Sequence, residues 1–594
     1  MKIAEISIKN FRCFKHIQIH PSNLCLLIGE NDSGKTAILH ALRMILGRWR
    51  PMPDDIYTND PNVAPKDRDP IEIEVVLIPE DPAKGFTDDE HAFSSEHFDI
   101  DDNGNEKLRI KLRYGWDSER EEFRTEIRFQ KRDGDGDEFS ARYANQFGFF
   151  LIDALRDITR EIANKTGLWG RLLSSITLSD TVQEKVSNLF RQANEILQKD
   201  PAFKSIKERF ESLIEGIFSL PSDVENVRVS PIPQEAAEIL RSADLHVRSK
   251  GSNVFLPISK HGMGAQSAAV IALFRTWAER RDIPNIFFGF EEPEAHLHPH
   301  VQRYLFRELT NLGAQVFITT HSTFIADQAD LRDIVLLHRK GDESVAHQIP
   351  SQDFLPPDWE MAIKRYIEGN NSEIFFARCI LLVEGDSEKY AFPLFAKALN
   401  IDFDRLCISL IPANSRNFAP FIRICSPYAL NIPWVIMCDG DAAKKVANQL
   451  EETGYISKGA VKRALQSGDL VTDVLIPNDC YPLPDGLNFE RFLLYNGFLK
   501  EYLQAIDDLD GSEALNNYVH QREKDTAGFS RRPKEEQVYE YVRKHGKPRF
   551  ARRVAELITQ NGTDPSKIPA EFQRPLERVK TKAEMILGIR YGNS

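Results

Sequence analysis

The chain has 594 residues, of which 42% are hydrophobic, enough to fill the cores of about two to four domains. No apolar run reaches the roughly 18 residues that span a bilayer, and the first residues, MKIAEISIKNFRCF, lack the apolar core of a secretory signal. The seven cysteines stand singly, without a CxxC pair, which predicts a reduced, cytoplasmic protein without structural zinc. The net charge is −13, whereas proteins that simply coat DNA are basic. Residues 522–590 are nevertheless rich in lysine and arginine.

The first elements predict a phosphate-binding loop. Alternating and β-branched residues in KIAEISIKNF and LCLLI predict two strands, and TAILHALRMIL predicts a helix. Between strand and helix stands GENDSGKT, which fits G-x-x-x-x-G-K-[ST] in the strand–loop–helix order that this motif requires. Backbone N–H groups of such a loop surround phosphate oxygens at the helix N-terminus. The predicted nucleotide-binding residues here are Gly29, Asn31, Ser33, Gly34, Lys35 and Thr36, with the Thr36 hydroxyl directed at Mg²⁺.

Residues 151–218 change to helical periodicity. VSNLFRQANEIL and FKSIKERFESLIEGIF repeat apolar residues at spacings of three and four, which predicts amphipathic helices. We interpret this segment as an inserted arm for self-association. An ordinary covering layer of helices stays open as the alternative.

A second part of the predicted ATPase site follows in NIFFGFEEPEAHLHPH. The apolar run predicts a buried strand that ends in Glu291 and Glu292. We expect Glu291 to hold Mg²⁺ and Glu292 to polarise the attacking water. His296, His298 and His300 alternate, but a zinc site needs more ligands in a defined geometry, so we interpret them as loop residues near the nucleotide.

These residues resemble the ABC-type ATPase heads of the SMC/RecF group. NFRCF follows the first strand as it does in those heads, and SKHGMGAQ is similar to a divergent form of their signature motif. The resemblance implies nucleotide-binding roles for Ser259, Gly264 and Gln266, and FITTHS places His321 at the position of the switch histidine. Such heads bind ATP between two copies, so the resemblance also implies a homodimer or a higher homo-oligomer.

A separate set of acidic residues follows two later strands. CILLVEGDSEKY ends a predicted strand with Glu384, and Glu388 follows in the first turn of the next helix. WVIMCDGD ends another strand with Asp439 and Asp441, whose spacing of two places both on one side. Packed carboxylates repel one another unless a cation neutralises them, and oxygen ligands suit Mg²⁺ or Mn²⁺. Solvated loop acids are the alternative interpretation.

This Glu and Asp-x-Asp pattern resembles the Toprim domain, and Glu388 favours its nuclease branch. An ABC head followed by a Toprim domain is similar to the overcoming-lysogenization-defect (OLD) family, which includes the nuclease subunit of the Gabija anti-phage system. The resemblance implies a further metal-binding acid at Glu490, in DGLNFERFLL, and an essential lysine at Lys547, in KHGKPRFARRVAELI. An ordinary helix-start acid and a non-specific phosphate contact are the alternatives for these two residues.

We therefore predict an α/β multidomain protein with an ABC-type (SMC/RecF-like) ATPase head, a helical insert, a Toprim parallel-sheet domain and a helical, basic C-terminal region. The predicted boundaries are 1–150 and 221–348 for the head, 151–220 for the insert, 349–374 for a linker, 375–480 for Toprim and 481–594 for its extension.

The predicted function is that of an ATPase and metal-dependent DNA endonuclease, with Glu384, Lys547 and Glu292 catalytic, in anti-phage defence. Its predicted cofactors are ATP with Mg²⁺, and Mg²⁺ or Mn²⁺ at the Toprim site. Its predicted partners are DNA, a second copy of the chain and a defence protein such as a helicase, with no membrane. A repair ATPase with a non-cleaving Toprim domain, or a defence subunit that needs a partner for activity, stays open.

Overall fold

The computed structural model describes most of the chain, and the structural statements below concern these residues. They are 1–47, 49–101, 104–131, 134–152, 173, 178–215, 245–248, 254–278, 285–295, 297–350, 353–368, 371–414, 416–560 and 565–591. Two compact units are present. The first consists of Met1–Leu151, Phe287–Gly289 and Gln315–Ser594, and the second of Ile152–Ile286 and Phe290–Ala314.

The strands are, in chain order, β1 (Lys2–Phe11), β2 (Phe14–Ile19), β3 (Leu24–Gly29), β4 (Ile71–Ile78), β5 (Asp99–Ile100), β6 (Glu106–Asp117), β7 (Glu122–Lys131), β8 (Gly134–Glu138), β9 (Phe147–Ile152), β10 (His246–Arg248), β11 (Phe255–Pro257), β12 (Asn285–Glu291), β13 (Gln315–Thr320), β14 (Ile334–Lys340), β15 (Glu343–Gln348), β16 (Cys379–Val383), β17 (Ile408–Pro412), β18 (Trp434–Cys438) and β19 (Cys480–Pro482).

The α-helices comprise Lys35–Leu46, Asp88–Ser94, Ala141–Ala144, Asp180–Gln198, Pro201–Glu215, Met263–Ala278, Pro299–Thr310, Thr323–Ala326, Pro357–Glu368, Asp386–Ala398, Phe403–Leu406, Ala419–Ile424, Ala443–Glu452, Ala460–Ser467, Phe489–Tyr495, Leu499–Asp510, Ala514–Asp525, Lys534–His545, Lys547–Thr559 and Ala570–Tyr591. None of the helices in the described part of the chain combines the length and apolar content needed to cross a bilayer.

Two sheets build the N-terminal part of the first unit. One is antiparallel, in the order β2-β1-β4-β6-β7-β8, with β5 on β6. The other has the order β15-β14-β3-β13-β12-β9, and β3 lies between the parallel strands β13 and β14. Because β3 is flanked on both sides, five of its six residues are buried, and the glycine-rich loop begins at its C-terminal end.

A third sheet, in the order β17-β16-β18-β19, lies further along the first unit and is parallel throughout. Every residue of β16 and β18 is buried, as expected for parallel strands covered on both faces. Parallel strands end at the same edge, so Glu384 and Asp439, which directly follow these two strands, meet there.

The segment 349–374, predicted as a linker, contains the helix Pro357–Glu368. This helix buries Ile363 and Ile367, and Arg332 and Lys364 form ion pairs across its surface with Glu360 and Asp330, respectively. Proline at the first helical position starts a helix instead of interrupting one, which the proline-based prediction did not consider. The segment belongs to the same compact unit as the strands before and after it.

The predicted helical insert is described in part. The helices Asp180–Gln198 and Pro201–Glu215 occupy the region of the two periodic sequences, and most other residues of 151–220 lie outside the described residues. Val182, Leu189 and Ile196 are exposed by 44%, 64% and 69%, and their spacing of seven places them on one stripe of the first helix. An exposed apolar stripe is typical of a surface that contacts another chain, and the self-association of this insert stays a prediction.

A pair of histidines in the first unit predicts a loss of stability in acid. His338 and His347 lie on the paired strands β14 and β15, with ring centroids 5.5 Å apart. Burial, followed by the charges of His338 and Lys340, lowers the pKa of His347 to about 4. The unfolded chain keeps this histidine near its ordinary value of 6.5, so the unfolded state binds more protons between these values. Stability therefore falls as the pH drops from 6.5 towards 4.

We expect His347→Gln to make the thermal unfolding temperature less sensitive to acid. The measurement compares wild type and variant at neutral pH and within the window between the two pKa values. His16→Gln, an exposed histidine on β2, is the matched control. Equal acid sensitivity of wild type and His347→Gln would contradict the assignment.

Candidate functional site

The glycine-rich loop has a backbone that only glycine accommodates at two positions. Gly34 has φ of 98°, and a Cβ there would lie 2.4 Å from the Phe14 ring. A Cβ on Gly29 would lie 2.5 Å from the carbonyl oxygen of Leu337. Lys35 Nζ donates to the carbonyl oxygens of Gly29 and Glu30, both at 2.9 Å, so the lysine side chain folds back onto the backbone of the loop. The helix Lys35–Leu46 begins at once, and its N-terminus suits a phosphate.

The predicted switch histidine lies beside this loop. His321 lines a cavity of about 650 Å³ together with Gly29, Asn31 and Asp32. Ser33 is fully buried, whereas Asn31 is exposed. The structure thus brings together the loop residues and His321 within one compact unit.

The other predicted ATPase residues belong to the second unit. In the signature segment, Ser259 and Gly264 are exposed, whereas Gln266 is buried and donates its side-chain amide to the His261 carbonyl at 2.7 Å. Glu291 ends β12, and Glu292 follows with φ of 43°, a conformation that is uncommon for a residue with a side chain.

Of the three alternating histidines, His296 lies outside the described residues. The prediction of a loop is wrong for His300, which occupies the first turn of the helix Pro299–Thr310, because Pro299 begins that helix. His298 directly precedes it as the N-cap residue.

The second site forms where β16 and β18 end. The backbone N–H of Asp439 donates to Glu384 Oε1 at 2.9 Å, so the two residues that follow these strands are in direct contact. Glu388 lies one helical turn beyond Glu384 and is 7% exposed. Gly440 separates the two aspartates, and a Cβ there would lie 2.4 Å from the carbonyl oxygen of Leu483. The close approach of the chain at Gly440 explains why glycine stands between the acids.

The electrostatics of this cluster show that its negative charges are crowded. Burial, followed by the charges of Asp439 and Glu490, raises the pKa of Glu388 well above its ordinary value. Burial and then Glu384, Glu490 and Asp441 raise the pKa of Asp439 to about 7. Burial also raises the pKa of Glu384, against the opposing effects of the Asp439 N–H and Arg416. A bound cation would relieve this repulsion.

Glu490 and Lys547 meet at the same place from distant parts of the chain. Lys547 Nζ lies 2.8 Å from Glu490 Oε2, and Ser387 Oγ donates to Glu490 Oε1 at 2.6 Å. Glu490 is 2% exposed, so its charge needs these partners. Burial lowers the pKa of Lys547, but Glu490, together with Tyr539 and Asp439, more than offsets this and the pKa is raised, which keeps the lysine charged. Glu490 lies in the first turn of the helix Phe489–Tyr495, as the alternative of a helix-start acid requires, and it is buried there.

The donor set fits a hard divalent cation. All the acids offer oxygen, and the buried Oδ1 of Asp439 has no hydrogen-bond partner among the described residues. Within those residues, no group of three or more histidine, cysteine or acidic side chains is arranged as a ready-made metal site.

Sequence reasoning missed two basic residues that contact these sites. Arg416 lies 3.5 Å from Glu384 and 2.7 Å from Asp441. Arg378, directly before β16, pairs with Glu30 of the glycine-rich loop at 2.8 Å. No motif marks either arginine. Ser387, by contrast, stands between two acids in EGDSE, so the sequence could have indicated it as a residue of the site.

Several basic residues of the C-terminal helices form ion pairs. Arg549 pairs with Asp510, and Arg553 pairs with Asp508 and Glu556. These pairs favour a solvated, charge-balanced surface over a row of cations that is free for a DNA backbone.

Comparison with known families accounts for this architecture. A family model described as AAA ATPase domain matches residues 1–137 and 86–326, more than half of the chain. The chain belongs to this family of AAA ATPase domains. A second model, described as overcoming lysogenization defect protein-like, TOPRIM domain, matches residues 375–441 of this AAA ATPase. The predicted resemblance to the OLD family and the predicted fold class are thereby confirmed. The two domain types imply the use of a nucleotide and of a divalent metal ion.

Two relatives each cover about three quarters of the chain. A protein named OLD nuclease from Thermus scotoductus is 24% identical over 477 residues, covering 74% of this chain and 82% of the relative. Endonuclease GajA from Bacillus cereus is 22% identical over 467 residues, covering 75% of this chain and 76% of that protein. The C-terminal region of the Burkholderia pseudomallei OLD protein is 25% identical, with a TM-score of 0.28, and covers 35% of this chain and 99% of its own.

Proposed function

We propose that this AAA ATPase is a divalent-metal-dependent DNA endonuclease that nicks DNA and acts in anti-phage defence. The observation that carries the proposal is the contact of acids from two parallel strands, Glu384 and Asp439, with buried Glu388 beside them. The similarity to proteins named OLD nuclease and endonuclease GajA supports nuclease activity. The proposed place in defence follows from the resemblance to the family that includes the Gabija nuclease subunit.

The proposed roles follow from position. Glu384, Glu388, Asp439, Asp441 and Glu490 would hold the metal ions. When bound, a pair of ions would supply a nucleophilic water at neutral pH and charge stabilisation for the leaving oxygen. Glu490 holds Lys547 at the edge of the acids, and we propose that the lysine ammonium stabilises negative charge on the scissile phosphate.

The ATPase part takes nucleotide at the glycine-rich loop. We propose that Gly29, Asn31, Ser33, Gly34, Lys35 and Thr36 bind the phosphates and Mg²⁺, that Glu291 holds Mg²⁺, and that Glu292 activates water. We propose that His321 also contacts this nucleotide, and that Ser259, Gly264 and Gln266 contact the nucleotide bound by a second copy, as the resemblance to SMC/RecF heads implies. The Arg378–Glu30 ion pair joins the loop to the start of β16, the strand that Glu384 follows, which supports control of cleavage by the nucleotide state.

The proposed assembly is a homodimer or a larger homo-oligomer. The exposed stripe of Val182, Leu189 and Ile196 on the insert supports contact between two copies. A partner defence protein such as a helicase remains part of the proposal.

A second candidate function is DNA binding by the TOPRIM domain without cleavage. One observation favours it, since the acids in the described residues are not arranged as a ready-made metal site. Cleavage of supercoiled plasmid with and without Mn²⁺, Mg²⁺ and ATP separates the two functions. Nicked circles that require a divalent ion support the nuclease, and DNA binding without nicking under every ion supports the second candidate.

Lys35→Ala tests the ATPase role within the same assay. Because Lys35 brings the positive charge of the glycine-rich loop, we expect ATP hydrolysis to fall by about 100-fold or more. Nicking without ATP should persist, and the response of nicking to added ATP should disappear. Lys15→Ala, an exposed lysine on β2, is the matched control. Hydrolysis at the wild-type rate in Lys35→Ala would refute the assignment.

A further inference from the structure

Arg416 contacts the carboxylates of the acidic site, although no sequence motif includes this residue. It lies between β17 and the helix Ala419–Ile424, at the same sheet edge as the acids. Its Nη2 is 2.7 Å from Asp441 Oδ2 and its Nε is 3.5 Å from Glu384 Oε2. The guanidinium therefore bridges the carboxylates that end two neighbouring strands, at the position where a shared cation would neutralise them.

The backbone that carries Arg416 is held firmly, whereas its side chain is accessible. Buried Gln449 donates its amide to the Arg416 carbonyl at 2.9 Å and accepts from the Phe418 N–H at 3.1 Å. The Arg416 side chain is 45% exposed. An anchored backbone with a solvent-accessible side chain allows the guanidinium to leave the acids without unfolding the loop.

We propose that Arg416 is a displaceable counter-ion of the nuclease site, which neutralises Glu384 and Asp441 until a divalent cation replaces it. This inference rests on the proposed function, because it requires that these acids bind metal. Arginine and metal compete for the same oxygens, so Arg416 raises the metal concentration at which the site fills. It thereby sets the threshold at which the enzyme becomes competent to cleave.

Metal binding by the full-length chain, without DNA, tests this proposal. The free Mn²⁺ concentration is followed by electron paramagnetic resonance during titration of wild type, Arg416→Gln and Arg416→Lys. We expect Arg416→Gln to bind Mn²⁺ about 2- to 5-fold more tightly, the range expected for loss of a half-exposed ion pair. Arg416→Lys, which keeps the charge but cannot bridge two carboxylates, should lie between. Arg405→Gln, on an exposed arginine in the helix Phe403–Leu406, should match wild type.

A second measurement shows that the variants fold. In EDTA, Arg416→Gln should unfold at a lower temperature than wild type because the acids lose their counter-ion. Added Mn²⁺ should remove this difference in unfolding temperature, because the bound cation neutralises the acids. An unfolding temperature of Arg416→Gln that stays below that of wild type in the presence of Mn²⁺ would overturn the proposal.

The outcomes separate this proposal from the proposed function. Unchanged or weaker Mn²⁺ binding in Arg416→Gln, while Glu384→Gln loses binding, overturns the counter-ion role and leaves the nuclease proposal standing. Wild type that binds no Mn²⁺, or binds it equally in Glu384→Gln, overturns both. Tighter binding in Arg416→Gln with an unchanged Arg405→Gln supports the counter-ion role.

Discussion

Replacement of Glu384 by glutamine is expected to reduce metal-dependent nicking by at least about 100-fold, since groups merely adjacent to metal ligands already contribute about 10- to 100-fold. Glutamine keeps the shape of the side chain and an oxygen that accepts from the Asp439 N–H, but it removes the charge that binds the cation. ATP hydrolysis should stay at the wild-type rate because the glycine-rich loop is untouched. The measurement is the rate of plasmid nicking at saturating Mn²⁺, with ATPase activity followed in parallel.

The stability of Glu384→Gln distinguishes loss of chemistry from loss of structure. The acids repel one another, so removal of one charge should leave the unfolding temperature in EDTA unchanged or slightly raised. Glu452→Gln, at the exposed end of the helix Ala443–Glu452, controls for loss of a surface acid. Nicking by Glu384→Gln at a rate close to that of wild type would remove the basis of the proposed site.

Replacement of Lys547 by methionine is expected to affect both stability and cleavage. Glu490 then keeps a buried carboxylate with Ser387 as its remaining strong partner, and we expect a loss of about 1–3 kcal/mol in the free energy of unfolding. Cleavage should fall by about 100- to 1,000-fold if the ammonium stabilises charge at the scissile phosphate. Thermal or urea unfolding and plasmid nicking measure the two effects.

The double variant Lys547→Met/Glu490→Gln separates the two roles of the lysine. A neutral amide no longer needs a buried cation, so we expect the double variant to regain most of the stability lost in Lys547→Met. The cleavage rate of the double variant should remain low. The single variant Glu490→Gln measures how much of this loss of cleavage results from removal of the acid. Recovery of cleavage together with stability would show that Lys547 is only structural.

The candidate site was predictable to different extents. Glu384 and Asp439 each follow a buried apolar strand, and parallel strands end at one edge, so a sequence pattern was enough to expect their proximity. Glu490 and Lys547 were expected only from a family resemblance, and their pairing spans 57 positions in the chain. The environment of Arg416 was not predictable, because it lies in an irregular loop whose path depends on Gln449, 33 positions further along.

The sequence by itself determined the local elements of this AAA ATPase and its TOPRIM domain. The spacing of glycine and lysine around residues 29–36, and strands that end in acids, depend on short-range sterics and on burial of apolar side chains. Only the tertiary structure decided the partners of each charge and the place of the helix Pro357–Glu368, which was predicted as part of a linker. Charge pairing and packing depend on the distance between residues that are remote in the chain, and a local pattern carries no information about that distance.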